Sequence, residues 1–317
     1  MKLRRRKLSS QNFCARLPAT SANLGPAFDA AALAFDLYLE VEARAASEYS
    51  VRARGRDEHI CGKLQNHLIL DTYREVMDSG AKSAVPLQLT ITNDIPIGKG
   101  CGSSAAARLA GIALADHFGN LQWTDSQIVG EASRREHHPD NASACWMGGL
   151  TVARMCGETE AQIACIRPKG KWPLLLAVPP EPLSTEEARR VLPAQYSRTD
   201  AVVNIQNSML LLAAFAQGKP GLLKSSLEDR IHQPYRAPLC PLLPVMQELG
   251  ARTGILGAVL SGAGPSVLVF LDPDCRTAVK KIAAQVAAYL QGKNLTAELL
   301  ITSIAEKGAA ATCKRRR

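Results

Sequence analysis

Residues 98–104, GKGCGSS, set three glycines within five positions and two hydroxyls directly behind them. Backbone N–H groups crowded together without intervening side chains, feeding the first turn of a helix, hold an anion through amide hydrogen bonds and the helix dipole. The spacing is not G-x-x-x-x-G-K-[ST], because Ser103 stands where that pattern needs a lysine, nor is it G-x-G-x-x-G. A tight turn needs only one glycine, so three glycines and two serines favour a phosphate site over a turn. Ser103 or Ser104 can also reach a Mg2+ riding on those phosphates.

Glu136 is the second candidate. The stretch 124–136 opens with a capping-box pattern, Thr124 with Gln127, and has to stop before Pro139. On that helix Ile128, Ala132 and Glu136 share one face, so the apolar stripe delivers a carboxylate inward at its last turn. A buried carboxylate needs a cation or donors, and Mg2+ is one such cation; a helix end reaching solvent is the alternative. His137 and His138 are adjacent and cannot face one metal as an i, i+4 pair would. Three further stretches carry polar chemistry or simple turns: PATSANLGPAFD with Asp29, SGAGPS from Ser261, and the segments placing Arg189 and Arg236, either of which can clamp a carboxylate or remain solvated.

The elements around these residues follow from periodicity. LQLTITN from Leu87 alternates as a half-buried strand, and 103–118 reads as a helix ending at Gly119 and Asn120. A short strand, a loop over 18–26 and a second strand form a hairpin-like unit at the start, with a further strand at SVRARG. Helices are expected from Asn66 to Gly80, over 184–193 with Ser184 as cap, over 200–228 and 240–252, and around 275–291. GGLTVARM and WPLLLAVPP read as strands flanking a loop near 157–170, LGAVLSGAGPSVLVF as two strands about a small-residue turn, and TAELLITSIA as the last strand. Strands mixed with helices without regular alternation indicate an α+β fold.

Composition narrows the class. The chain has 317 residues, 46% hydrophobic, enough for two domains with cores of their own, and no apolar run approaches a membrane span. Nine of its 38 basic residues lie in residues 2–7 and 314–317, which leaves 29 against 29 acidic ones elsewhere. The net charge of +9 therefore sits in two terminal tails, with no aromatic-interleaved patch, and specific nucleic-acid binding is not expected. Nine scattered cysteines without a C-x-x-C pair argue against a disulfide framework or thiolate zinc site. No secretory signal is evident, so a cytoplasmic protein is expected.

Taken in order, PATSANLGPAFD, PIGKGCGSSAA, EHHPDN and LSGAGPSVLVF resemble the signature motifs of the GHMP small-molecule kinases. STEEARRVLP and DRIHQPYR narrow the resemblance to the homoserine kinase branch, over residues 14 to 305 or so. The resemblance implies an α+β GHMP kinase fold in two domains: a ribosomal protein S5 domain 2-like N-terminal domain at 14–166, and a ferredoxin-like C-terminal domain at 167–313, between basic tails 1–13 and 314–317.

It also implies ATP and Mg2+ as cofactors. Pro96, Gly98, Lys99, Gly100, Cys101, Gly102, Ser103 and Ser104 fall on the ATP phosphate loop, Asn66 on the purine site, and Glu136 with Ser103 or Ser104 on the metal site. Asn23, Asp29, His138, Asn141, Thr185, Arg189, Arg236, Gly262 and Gly264 fall where the family holds its amino acid; Asp29 suits the ammonium and the arginines the carboxylate. The implied reaction is phosphorylation of the side-chain hydroxyl of L-homoserine, in a homodimer, with Ser104 and Asp140 as catalytic candidates, Asp140 being the nearest base. A mevalonate-type small-alcohol kinase and a catalytically silent metabolite-binding member are the alternatives. Ala27, Cys101 and His137 depart from the family pattern of Gly, Leu and Gly, and side chains at 27 and 137 are expected to crowd their loops.

Overall fold

The computed structural model describes residues 12–313; the two basic tails therefore lie outside the described residues, apart from Asn12 and Phe13. The first half is built from β1 (Phe13–Asn23), β2 (Ala27–Ala45), β3 (Ser50–Gly55), α1 (Glu58–Cys61), α2 (Leu68–Ser79), β4 (Leu87–Asn93), α3 (Ser103–Gly119), α4 (Asp125–Glu136), α5 (Asp140–Met147), β5 (Leu150–Cys156) and β6 (Glu160–Ile166). Its sheet runs β3-β4-β2-β5-β6, with β1 pairing β2 beside that path. β3 and β4 are parallel, joined through α1 and α2, and the other pairs are antiparallel.

The second half contains β7 (Pro173–Val178), α6 (Thr185–Arg190), α7 (Arg198–Gln217), α8 (Pro220–Ser226), α9 (Gln233–Arg236), α10 (Leu242–Glu248), β8 (Ile255–Leu260), β9 (Val267–Leu271), α11 (Val279–Gly292) and β10 (Glu298–Ser303). Its four antiparallel strands lie in the order β10-β7-β9-β8. Counted within this half, that order is 4-1-3-2, with helices in the two crossovers, which is the ferredoxin-like arrangement. The fold is α+β in two halves, as the resemblance implies.

Several local expectations hold for physical reasons. In β4, Leu87, Leu89, Ile91 and Asn93 face inward while Gln88, Thr90 and Thr92 are more exposed. α3 ends at Asn120, which takes the left-handed conformation (φ 51°) a C-cap needs. Thr124 and Gln127 form the reciprocal capping box at the start of α4, and Ser184 accepts from the Glu187 N–H at the start of α6.

Two local expectations fail. Residues 18–23 are not a loop: β1 runs through them, paired with β2, with register shifts at Pro18/Ala19 and Ala22/Asn23. Among the described residues β1 has β2 as its one strand partner, so Pro18 can sit in it without breaking a ladder on its other side. Residues 160–166, expected in a loop, form β6 as a hairpin with β5, turning at Gly157 (φ 78°).

The core is aromatic at its centre. Trp146, Tyr73, Phe13, Phe35, Phe215 and Phe270 are all fully buried. α3, mostly alanine and aliphatic, lies in this core, and α2 approaches it at Gly111, where a Cβ would stand 2.5 Å from Ile69 O and 2.7 Å from Thr72 Cβ. The helix whose first turn follows the glycine loop is fixed by this contact. Gly111→Val should cost about 1–3 kcal/mol by overpacking, read as a lower urea midpoint with an unchanged slope; a midpoint equal to wild type would contradict the close packing of α2 on α3.

Candidate active site

A cavity of about 420 Å³ lies where the two halves meet. Its floor is the turn between β4 and α3. Gly98, Gly100 and Gly102 all take positive φ (70°, 76° and 71°), and alternation of left-handed with ordinary residues turns successive N–H groups to one side. Gly102 is the N-cap of α3 and offers no side-chain cap, so the first-turn N–H groups of a 17-residue helix remain available to an anion. Glycine is also sterically required: a Cβ on Gly100 would stand 2.2 Å from Ser261 O, and one on Gly102 1.9 Å from Thr20 Oγ1.

Ser103 and Ser104 line this end of the cavity, and Glu136, half-buried at the end of α4, faces them. Glu136 Oε1 accepts from Ser104 Oγ at 2.7 Å and from Arg108 Nε at 2.6 Å. A carboxylate and a hydroxyl held together at a phosphate loop are hard oxygen donors of the kind Mg2+ uses, and the residues present fit such an ion. Cys101 contributes backbone only. Its carbonyl accepts from Thr20 N–H at 3.1 Å, and burial pushes its thiol up to about 12.

A second arm of the cavity is an apolar slot between Ile60, Leu68, Ile69, Ile91 and Ile97, with Asn66 (φ 52°) at its mouth. His67 beside it caps α2, accepting from Leu70 N–H through Nδ1 while Nε2 donates to Cys61 O; burial lowers its pKa. A flat aromatic base suits that lining.

The third arm is polar. Asp29 (φ 52°) donates its N–H to Asn23 Oδ1 at 2.9 Å, and Asn23 Nδ2 donates to Gly262 O at 2.8 Å. Arg189 from α6 holds Asp29 in a bidentate pair at 2.8 and 3.0 Å. Arg236 is 1% exposed; its Nε donates to Ala188 O, and its guanidinium faces the Phe28 ring 5.3 Å away. Opposite stands His138, its Nδ1 2.6 Å from Asp140 Oδ1, which also accepts from Asn141 N–H. Asn141 Oδ1 accepts in turn from Thr20 Oγ1 at 2.7 Å. Burial disfavours the charged His138 ring, yet the hydrogen bond and charge of Asp140, with Asp29 and Glu136 behind it, raise its pKa overall. Asp29, His138 and Asp140, two carboxylates and an imidazole, present ligand atoms within 4.8 Å of one another. Thr185, Gly262 and Gly264 complete the wall.

The structure thus brings together the candidates from both chain halves, with two exceptions. Pro96 is buried beneath the loop, and Lys99 turns its Nζ onto Pro180 O, so neither lines the cavity. Of the two side chains expected to crowd their loops, Ala27 opens β2 without a positive φ, the turn before it being made by Asn23, Leu24 and Gly25, so it carries no left-handed backbone strain. His137 does take φ 66° as the C-cap of α4, with its ring exposed, so its cost is backbone strain and not a clash. Sequence reasoning missed Thr20, Arg108 and the isoleucine slot. Thr20 lies inside the quoted PATSAN motif, and Arg108 lies four residues beyond Ser104 on the same helical face.

Family models described as GHMP kinases N terminal domain and GHMP kinases C terminal match residues 67–149 and 211–291. Such a fold with such a loop is that of a small-molecule kinase. A homoserine kinase of Solibacter usitatus is 40% identical over 301 residues, spanning 95% of this chain and 97% of that one, and one of Synechococcus is 36% identical over 92% of this chain. A homoserine kinase structure from Cytophaga hutchinsonii superposes with a TM-score of 0.79 at 22% identity, covering 97% of this chain and 99% of its own, a likeness of fold. The chain belongs to the homoserine kinase family of GHMP kinases.

Behind the polar arm, His232 is wholly buried. Its Nε2 lies 2.8 Å from Gly25 O, an acceptor only, so that nitrogen carries the proton and Nδ1 accepts from Arg236 Nη1 at 3.2 Å. Burial holds its pKa down at about 4, the charge of Asp229 opposing and that of Arg236 adding. The unfolded chain, with an ordinary histidine, binds the proton first, so this residue's contribution is complete above about pH 6.5 and is lost as pH falls toward 4. Unfolding free energy should therefore drop by up to about 3 kcal/mol over that window through this residue, and His232→Gln should flatten that part of the profile; an identical pH profile in the variant would contradict a neutral, buried His232.

Proposed function

We propose that this kinase transfers the γ-phosphoryl group of ATP to the side-chain hydroxyl of L-homoserine, giving O-phospho-L-homoserine for threonine synthesis. The observation that carries the reading is the polar arm: Asp29 with Arg189 and Arg236 offers both signs of charge in the same cavity as the phosphate loop. An amino-acid zwitterion satisfies both, its ammonium toward Asp29 and its carboxylate toward the arginines, and thereby replaces the Asp29–Arg189 pair instead of leaving either charge alone. A mevalonate-type substrate has no ammonium to offer Asp29.

Ser103, Ser104 and Glu136 would hold Mg2+, which neutralises phosphate charge and orients the transferred group. The remaining work falls to this chain. The amides of 98–104 bind the phosphates, the α3 dipole opposes the charge that builds on them, and the isoleucine slot with Asn66 takes the purine. His138, Asn141 and Thr20 position the amino acid's hydroxyl in line with the transferred phosphorus. The bond from that phosphorus to the bridging oxygen breaks as the bond to the hydroxyl oxygen forms, and the hydroxyl proton leaves. Transfer of this kind depends on alignment and charge more than on a strong base. Asp140 Oδ1 is already committed to His138 and Asn141, so any proton acceptance by Asp140 falls to Oδ2.

The chain works, in this reading, as a cytoplasmic homodimer. All nine cysteines are free thiols, and no described helix is long and apolar enough to cross a membrane. α7 exposes Val202, Ile205 and Met209 at 46%, 58% and 61%, an apolar stripe a second copy would cover.

ADP release with Mg·ATP tests the reaction. Turnover is expected on L-homoserine and not on mevalonate, L-serine or L-threonine at the same concentration. Glu136→Ala should lower kcat by roughly a hundredfold or more, as removal of a charge-stabilising group does. Arg236→Met should instead raise KM for L-homoserine with KM for ATP little changed. Preference for mevalonate, or full activity in Glu136→Ala, would contradict the assignment.

A further inference from the structure

The phosphate end of the cavity is short of positive side chains. Glu136 lines it, but among the described residues neither lysine nor arginine does: the two lining arginines, Arg189 and Arg236, are engaged at the polar arm, and Lys99 points to Pro180 O. A nucleotide's phosphates carry several negative charges into this space, and the helix N-terminus supplies only about half a positive charge.

Arg108 is the nearest remedy. It follows Ser104 by four residues on α3, so both side chains project from the same face one turn apart. Its Nε donates to Glu136 Oε1 at 2.6 Å, the oxygen that Ser104 Oγ also reaches at 2.7 Å. The pair is partly shielded, with side chains 25% and 12% exposed. A guanidinium within hydrogen-bond distance of that oxygen and a divalent ion on the same oxygen repel one another at close range, so the two compete for Glu136. Two further guanidinium nitrogens remain on the side chain, and a planar fork of this kind matches phosphate oxygens.

We propose that Arg108 is the resident counter-ion of Glu136 before nucleotide binds, that its free guanidinium nitrogens take the nucleotide's phosphate oxygens on binding, and that a divalent ion, when present, takes over the carboxylate and shares the phosphates with it. It is a positioning residue in the first state, holding Glu136 against Ser104, and a phosphate ligand in the second. The inference rests on the reading of Glu136 as the metal carboxylate given above. It explains why a carboxylate can wait beside a phosphate loop without repelling the ligand: in the absence of a metal its charge is already neutralised, and the neutralising group is itself a phosphate binder.

The consequence is a nucleotide affinity that depends on Arg108 most when no metal is present. Calorimetric titration of the whole protein with ADP, in EDTA and in saturating Mg2+, separates the two states. Arg108→Met keeps the length of the side chain and removes its charge. It should weaken ADP binding in EDTA by about tenfold, the weight of one charge-assisted hydrogen bond, and weaken it less in Mg2+. Arg108→Lys should recover part of the affinity in EDTA, which a purely structural role for the arginine would not produce. Equal losses in both buffers, or no loss in EDTA, overturn the proposal. Glu136→Gln distinguishes its failure from that of the underlying reading: the variant should lose most of the Mg2+ enhancement of ADP binding, and an unchanged enhancement removes the metal role of Glu136 and the Arg108 exchange with it.

Discussion

Two loops from different sheets lie backbone against backbone, and the site depends on that contact. Gly100 and Ser261 are so close that no Cβ fits between them. Ser261 Oγ donates to Gly100 O at 2.7 Å, Ser266 N–H to Lys99 O at 3.3 Å, and Gly262 N–H to Ala22 O at 3.2 Å. The Lys99 and Gly100 carbonyls of the phosphate loop are thereby occupied from behind by the second half of the chain, and the left-handed glycines are fixed in place between the two halves. Neither half alone makes this arrangement. The β8–β9 loop, unremarkable as a hairpin turn, acts as the brace for a phosphate cradle whose sequence lies about 160 residues upstream.

The same brace orders the polar arm. Gly262 O accepts from Asn23, Asn23 accepts from the Asp29 N–H, and Asp29 pairs with Arg189, so one short chain of hydrogen bonds runs from the phosphate loop's support to the charges proposed to recognise an amino acid. His232 closes the other side by linking Gly25 O to Arg236. Buried charges are costly unless partnered: Asp29 and Arg189 hold one another in a pair that a zwitterion can replace in kind, and Arg236 is held by Ala188 O and the neutral His232. Arg236, fully buried and braced, can act as a fixed anchor; Arg189, about one third exposed on a six-residue helix, is the one with freedom to move.

How much of this was legible in the sequence depends on range. Interactions within a few residues were readable: the capping box at Thr124, the glycine spacing at 98–102, and the inward stripe that ends at Glu136. Residues 18–23 mislead because their composition signals a turn, while their conformation is set by pairing with β2 along an edge that tolerates Pro18. The β6 hairpin escapes a sequence reading for a similar reason: its pattern, with only Ala161 fully buried, is too exposed to alternate clearly. Thr20 lies in a motif and Arg108 one turn after Ser104, but that they meet Asn141 and Glu136 depends on α4 ending over α3 and β1 passing under Gly102, facts of packing that no local pattern encodes. The family resemblance supplied the long-range part of the site that residue chemistry alone left as separate fragments.

The central claim is that the cleft recognises an amino acid by two separated charges and phosphorylates its hydroxyl. Comparing kcat/KM for L-homoserine with that for 3-aminopropan-1-ol, which lacks only the carboxylate, and for 4-hydroxybutanoate, which lacks only the ammonium, tests this directly. Each deletion leaves one charge of the site without its proposed counterpart, so both analogues should fall by roughly a hundredfold or more. An analogue turned over as well as L-homoserine would show that its missing charge is not read, and would contradict the account.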